Sequence, residues 1–199
     1  PGNNCSIVVS ITVPSNTTPV TASITTPATI TCSTPSLTLN ASPTGAYTYT
    51  WTGSSALVNP NSQNPTINNG GTYSVSITNT VNGCVGNANV TVSSNTTAPT
   101  VNIAAPSVTT TCSNPTVTIV ASSTPSTGVT YSWTAPGSGS LSNSTISNPV
   151  ASGSGVFTVV VTNTTSSCSS SITVSVPINT VAPSPTAANT TTLTCATTT

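Results

Sequence analysis

The sequence predicts an all-β chain of tandem β-sandwich domains, each about 80 residues long. Three observations carry this expectation. Short runs of Val, Ile, Thr and Tyr alternate apolar with polar and are punctuated by Pro, Gly, Asn and Ser, the pattern of half-buried strands. The whole chain repeats itself with a period near 80 residues. Six cysteines fall at only two kinds of position within that period.

The repeat is plain at the Asn-Thr links, where SNTTPVTASI, SNTTAPTVNI and INTVAPSPTA correspond. The segments after them correspond too: ITCSTPSLTLNAS with TTCSNPTVTIVAS, TYTWTG with TYSWTAPG, and GTYSVSITNTVNGC with GVFTVVVTNTTSSC. The chain therefore divides into a unit at 19–94, a link at 95–98 and a second unit at 99–177. Residues 1–18 match the last strand of a repeat, and 178–199 match the first; each is expected to belong to a neighbouring unit or to exchange as a strand between subunits.

In the first unit, residues 20–24 read as strand A, 36–41 as B and 47–52 as C. Residues 65–68 read as a weak D and E, 71–79 as F and 88–93 as G; the second unit follows suit. Period-two alternation in F puts Tyr73 and Val75 on the core face, with Phe157 and Val159 their counterparts. Trp51 and Trp133 on strand C are expected to fill the sandwich centres as core residues rather than as ligand platforms.

Composition excludes more than any motif adds. The 199 residues include no Lys, Arg, Asp, Glu or His. General acid-base chemistry has no side chain poised near neutral pH, and a Ser or Cys nucleophile has no base to activate it. Calcium and magnesium sites need carboxylates, and zinc sites need clustered ligands, whereas these cysteines are far apart in sequence. No catalytic, metal or cofactor site is expected. Without basic residues there is no counterion-release term for nucleic acid and no attraction to anionic lipid. No apolar run approaches the ~20 residues of a membrane span. The Pro, Ser and Thr content also fits a mucin-like stalk, but such stalks lack regular alternation.

An uncharged surface needs another source of solubility, either self-assembly or sugars. Acceptor sequences N-x-S/T occur at Asn4, Asn16, Asn40, Asn89, Asn95, Asn143, Asn163 and Asn189, and Thr-Ser clusters offer O-linked sites.

The G-x-Y-x-V pattern in strand F with Trp on strand C resembles an immunoglobulin-like fold whose usual core cystine is replaced by apolar Ala41 and Val75. The run GTYSVSITNTVNGC is also similar to the end of PKD-like and related Ig-like repeats strung along large bacterial surface adhesins. The acidic pattern that follows strand C in PKD domains is absent. Trp51-Thr52-Gly53-Ser54 and Trp133-Thr134-Ala135-Pro136 stand there, so no calcium role carries over.

The cysteines precede strand B (Cys32, Cys112, Cys195) or follow strand F (Cys5, Cys84, Cys168), a regularity expected of an oxidising, extracellular or cell-surface setting. Three pairings stand open. Within units, Cys32 would join Cys84 and Cys112 would join Cys168. The Ig-like topology places those positions at opposite poles, about 20 Å apart, whereas a disulfide needs Cα atoms within roughly 7 Å. Between units, Cys32 would join Cys168. A fold-back at each link would instead join Cys5–Cys32, Cys84–Cys112 and Cys168–Cys195.

The function expected is structural: an extracellular filament, stalk or fibre of serial units that partners with itself, with covalent glycans as a further partner. An adhesin module that binds glycans or surfaces through its loops is the alternative. Ice binding through outward rows such as Thr48-Tyr49-Thr50 is a third class, less favoured because outward Thr is ordinary in strands.

Overall fold

A computed structural model describes residues 5–104, 106, 109–182 and 184–185. The described chain is all β. It forms two compact units. Of the described residues, the first takes those up to Ala98 together with Asn163–Cys168, and the second takes those of Pro99–Thr162 and those from Ser169 onward.

The first unit contains β1 (Ser23–Ile24), β2 (Ile30–Thr31), β3 (Leu37–Thr38), β4 (Ala41–Ser42), β5 (Tyr47–Gly53), β6 (Thr66–Ile67), β7 (Gly71–Asn79), β8 (Val85–Val92) and β9 (Ser94–Asn95). The long strands β5, β7 and β8 make one antiparallel sheet in the order β5-β7-β8. Facing it, β1 pairs with β4 and β3 pairs with β6, so the successive strands β3 and β4 bridge the opposite layer. This is the strand order of an immunoglobulin-like sandwich. The layers close over Leu39, Ala41 and Ile67 on one side and Trp51, Tyr73, Val75 and Ile77 on the other, all buried. The alternation read in strand F is the burial alternation of β7.

The second unit repeats the plan with β10 (Thr100–Ala104), β11 (Thr110–Thr111), β12 (Thr116–Thr118), β13 (Val120–Thr124), β14 (Val129–Thr134), β15 (Ser140–Leu141), β16 (Val150–Ser152), β17 (Gly155–Asn163), β18 (Ser169–Val176) and β19 (Ile178–Asn179). Its sheets are β14-β17-β18 and β12-β16-β15, with β10 on β13. Ile119, Ala121, Trp133, Phe157, Val159 and Val161 form its centre.

Polar atoms inside these cores are satisfied, as buried donors must be. The indole N–H of Trp51 donates to the Ser62 carbonyl at 2.9 Å, and that of Trp133 to the Ile146 carbonyl at 2.9 Å. Tyr73 donates its hydroxyl to the Asn69 carbonyl at 2.7 Å and meets Ser55 Oγ at 2.7 Å. This tyrosine corner ties β7 to the turn before it. Phe157 occupies the matching place in the second unit and lacks the hydroxyl.

Several strand bounds differ from the sequence reading. Strand D does not lie in 65–68. That stretch holds β6, while its upstream partner is a single bridge from Val58 to Thr66 in the first unit and β15 in the second. Strand A of the first unit is short, only β1, and upstream of it the Val20 carbonyl passes so close to Gly86 that a Cβ there would lie 2.3 Å from it. The run before strand B also holds β2 and β11, two-residue strands that pair in parallel with β9 and β19. Residues 5–18 lie in no strand, and Ile7, Val9, Ile11 and Val13 are exposed there.

Candidate assembly site

Two structural pieces recur, a turn and a shelf, and in the first compact unit they are joined. The turn follows strand F. In Asn79–Cys84 the Asn79 N–H donates to the Cys84 carbonyl at 2.9 Å and the Gly83 N–H to the Asn79 carbonyl at 2.9 Å. The Asn79 side-chain oxygen accepts from the Val81 N–H at 2.8 Å. Asn163–Cys168 repeats each bond: Asn163 N–H to the Cys168 carbonyl at 2.9 Å, Ser167 N–H to the Asn163 carbonyl at 2.8 Å, and Thr165 N–H to Asn163 Oδ1 at 2.9 Å. The residue before each cysteine is left-handed, Gly83 at φ 74° and Ser167 at φ 57°. Asn at the first position explains the shared shape, because its carboxamide caps the amide two residues on.

The shelf precedes strand B. At Cys32 the parallel pair β2–β9 is continued by the Ile30 N–H donating to the Ser93 carbonyl at 3.0 Å. The Thr31 N–H then donates to the Thr34 carbonyl at 3.1 Å, and Thr31 Oγ1 accepts from the Thr34 N–H at 3.2 Å. At Cys112 the same frame stands: Thr110 N–H to the Pro177 carbonyl at 3.1 Å, Thr111 N–H to the Asn114 carbonyl at 2.9 Å, and Asn114 N–H to Thr111 Oγ1 at 3.0 Å.

Turn meets shelf at Cys32 and Cys168, which form a disulfide with Cα atoms 5.1 Å apart and a sequence separation of 136. The Cys32 N–H donates to the Ser166 carbonyl at 3.0 Å, and Ser166 Oγ donates to the Thr97 carbonyl at 3.4 Å. Ser166 and Cys168 are buried there. The bond is thus embedded in backbone recognition of the turn.

This pairing excludes the within-unit scheme, because Cys84 and Cys112 are free thiols, half-buried and exposed respectively. It likewise excludes fold-back at the links, since Cys32 is already engaged by Cys168. The physical reason is the one-way run of strands B and F, which sends their cysteines to opposite ends of one sandwich. Cys5 is exposed, and Cys195 lies outside the described residues.

Sequence reasoning missed Ser166 and Thr97. The repeated Asn-Thr-x-x-x-Cys spacing and the repeated Asn-Thr links carried the signal, but nothing in one sequence says that the turn touches the link. Of the acceptor sequences, Asn16, Asn40, Asn89 and Asn143 are exposed; Asn95 and Asn163 are half-buried, the latter within the turn. Asn4 and Asn189 lie outside the described residues. Among the described residues no group of His, Cys, Asp or Glu could hold a metal, and no helix is long and apolar enough to cross a membrane.

No family model matches the chain, and no curated protein matches it. Among solved structures it is similar to the three N-terminal domains of the bacteriophage RB49 highly immunogenic outer capsid protein, with 18% identity and a TM-score of 0.40. That match covers 80% of this chain and 58% of the phage chain, so this chain spans under two thirds of it. It is also similar to the Clostridium thermocellum CbhA fibronectin(III)-like modules, with 12% identity, a TM-score of 0.35, and coverage of 80% and 94%. A structure of the titin domains Z1Z2 in complex with telethonin matches with 13% identity and a TM-score of 0.30, covering 83% and 100%.

Proposed function

We propose that this chain is a structural protein of an extracellular filament, stalk or surface fibre, built from serial disulfide-stabilised immunoglobulin-like units like those of large bacterial surface adhesins. The observation that carries the reading is the Cys32–Cys168 disulfide, which fastens the turn of one sequence repeat onto the shelf of the repeat before it. Such a closure gives a chain under tension a covalent stop. Disulfides of this kind belong to oxidising compartments, which supports an extracellular or cell-surface location. Glycans at the exposed acceptors Asn16, Asn40, Asn89 and Asn143 would hydrate an otherwise uncharged surface. The units act by spanning length, without catalysis or a cofactor. Immunogold electron microscopy of intact source cells, using antibody raised against this chain, tests the reading. Label along surface filaments is expected, and label confined to the cell interior overturns it.

One observation favours adhesion as the second reading. The outward face of β5-β7-β8 carries an open hollow of about 300 Å³ lined by Thr50, Thr52, Ser74, Ser76, Asn87 and Asn89 among others, hydroxyls and carboxamides suited to sugar hydroxyls. Glycan-array binding that Thr52→Val and Asn87→Ala abolish would favour it; an array without signal would remove it.

A further inference from the structure

The shelf at Cys112 is framed like the shelf at Cys32 but carries no turn among the described residues. An open hollow of about 450 Å³ lies there, lined by Thr111, Cys112, Ser113, Asn179, Val181 and Ala182. Cys112 is exposed in it as a free thiol. Aligning the links places Val181 where Thr97 stands, and the Thr97 carbonyl is the group that receives Ser166.

A second observation says what such a hollow takes. Asn82, the counterpart of Ser166 in the first F–G turn, donates its side-chain N–H to the Thr18 carbonyl at 3.3 Å and to Asn16 Oδ1 at 3.3 Å. Thr18 is the counterpart of Thr97. Both turns therefore lie against the third Asn-Thr-link residue ahead of their own repeat, and each holds its cysteine beside that link. The relation is a rule of the repeat, seen twice.

We infer that the hollow at Cys112 is a docking site for the F–G turn of an immunoglobulin-like repeat following in series, whose cysteine forms a disulfide with Cys112. By the same rule, Cys84 bonds the cysteine before strand B of a repeat preceding in series. The occupant is an uncharged Asn-Thr-x-x-x-Cys turn. Its carbonyl two residues before the cysteine accepts from the Cys112 N–H, and the side chain there donates to the Val181 carbonyl, as at Cys32 and Thr97. In forming the bond each thiol loses a proton and the sulfur pair loses two electrons. A small-molecule or protein disulfide takes up both and leaves as two thiols, so Cys112–SH, turn–SH and R–S–S–R give Cys112–S–S–turn and two R–SH.

The inference rests on the serial reading above but is tested apart from it, since surface labelling does not depend on any thiol. The experiment uses a three-repeat chain in which residues 100–199 are appended after residue 183 of this one, oxidised in a glutathione redox buffer. Peptide mapping is expected to find the first Cys112 bonded to the appended copy of Cys168, and the first Cys112 to lose the alkylation it undergoes in the parent chain. A second chain, with residues 1–97 placed before residue 19, is expected to protect Cys84 through the leading copy of Cys32. The native Cys32–Cys168 disulfide in each chain reports correct folding. Continued alkylation of Cys112 and Cys84 in folded elongated chains overturns the inference. So does a Cys84–Cys112 disulfide between copies of the parent chain, which would assign the site to a second copy instead.

Discussion

Reduction of the Cys32–Cys168 disulfide, or its removal by Cys32→Ser, is expected to release a large and specific length of chain under tension. The bond encloses a separation of 136 residues while holding its Cα atoms 5.1 Å apart. Fully extended chain spans about 3.3–3.6 Å per residue, so the enclosed loop hides about 450–490 Å of contour. Of 199 residues, the roughly 63 outside the loop extend by about 210–230 Å at most. Force therefore runs along the incoming link to Cys32, across the sulfurs and out from Cys168, leaving most of both cores off the load path. Single-molecule force spectroscopy with handles at the two ends measures this directly. The oxidised chain should stop at the shorter length, and the reduced chain or the Cys32→Ser variant should gain the hidden contour. An oxidised chain that stretches to full length refutes the reasoning. An increment of only about 180 Å also refutes it, because that is the length of a Cys32–Cys84 loop. In the chain-entropy account, closure of so long a loop stabilises the fold by about 5 kcal/mol, so chemical unfolding midpoints should fall on reduction as well.

Four further outcomes follow from particular side chains. Tyr73→Phe removes the hydroxyl bonded to Asn69 and Ser55 and should cost about 1 kcal/mol, read as a lower urea midpoint. Trp133→Ala empties the centre of the second unit and should cost about 3–5 kcal/mol, with loss of its near-ultraviolet circular dichroism. Ser167→Gly relieves a left-handed backbone and should stabilise by about 1 kcal/mol, whereas Gly83→Ser should do the reverse. The Tyr49 phenol, which donates to the Pro43 carbonyl at 2.8 Å, has its pKa raised, by burial first and by nearby Tyr47 second. Its ionisation is thus easier in the unfolded chain. The stabilisation is full below the ordinary tyrosine pKa of about 10 and is lost as pH rises through the higher folded value. Melting temperature against pH should drop above that point in the parent and drop less in Tyr49→Phe.

The fold was legible wherever burial alternates over a long strand. Tyr73, Val75 and Ile77 announce a core face because nine residues of β7 keep one period, and the two Trp residues mark the strand paired beside it in the same sheet. The two-residue strands β2 and β11 left no such trace. Two residues hold no period, and what makes them strands is a parallel partner more than 60 residues away. Strand D was misplaced for a related reason, since its pairing in the first unit is one bridge at Val58. At the assembly site, cysteine spacing and the direction of strands B and F limited the pairings. Choosing among them needed the turn geometry at Ser166, a buried residue whose carbonyl accepts from the Cys32 N–H and whose hydroxyl donates to the Thr97 carbonyl, partners remote in sequence.

The parallel pairing of β2 with β9 has a further meaning for a chain pulled by its ends. One strand lies near the unit's entrance and the other at its exit, and both run the same way. Once the Cys32–Cys168 disulfide is reduced, opposed pulling would slide them along each other, loading the Ile30–Ser93 hydrogen bond and its neighbours together in shear instead of peeling them one by one. The smallest strands of the sandwich thus form a second latch, one that bears load only after the disulfide is opened.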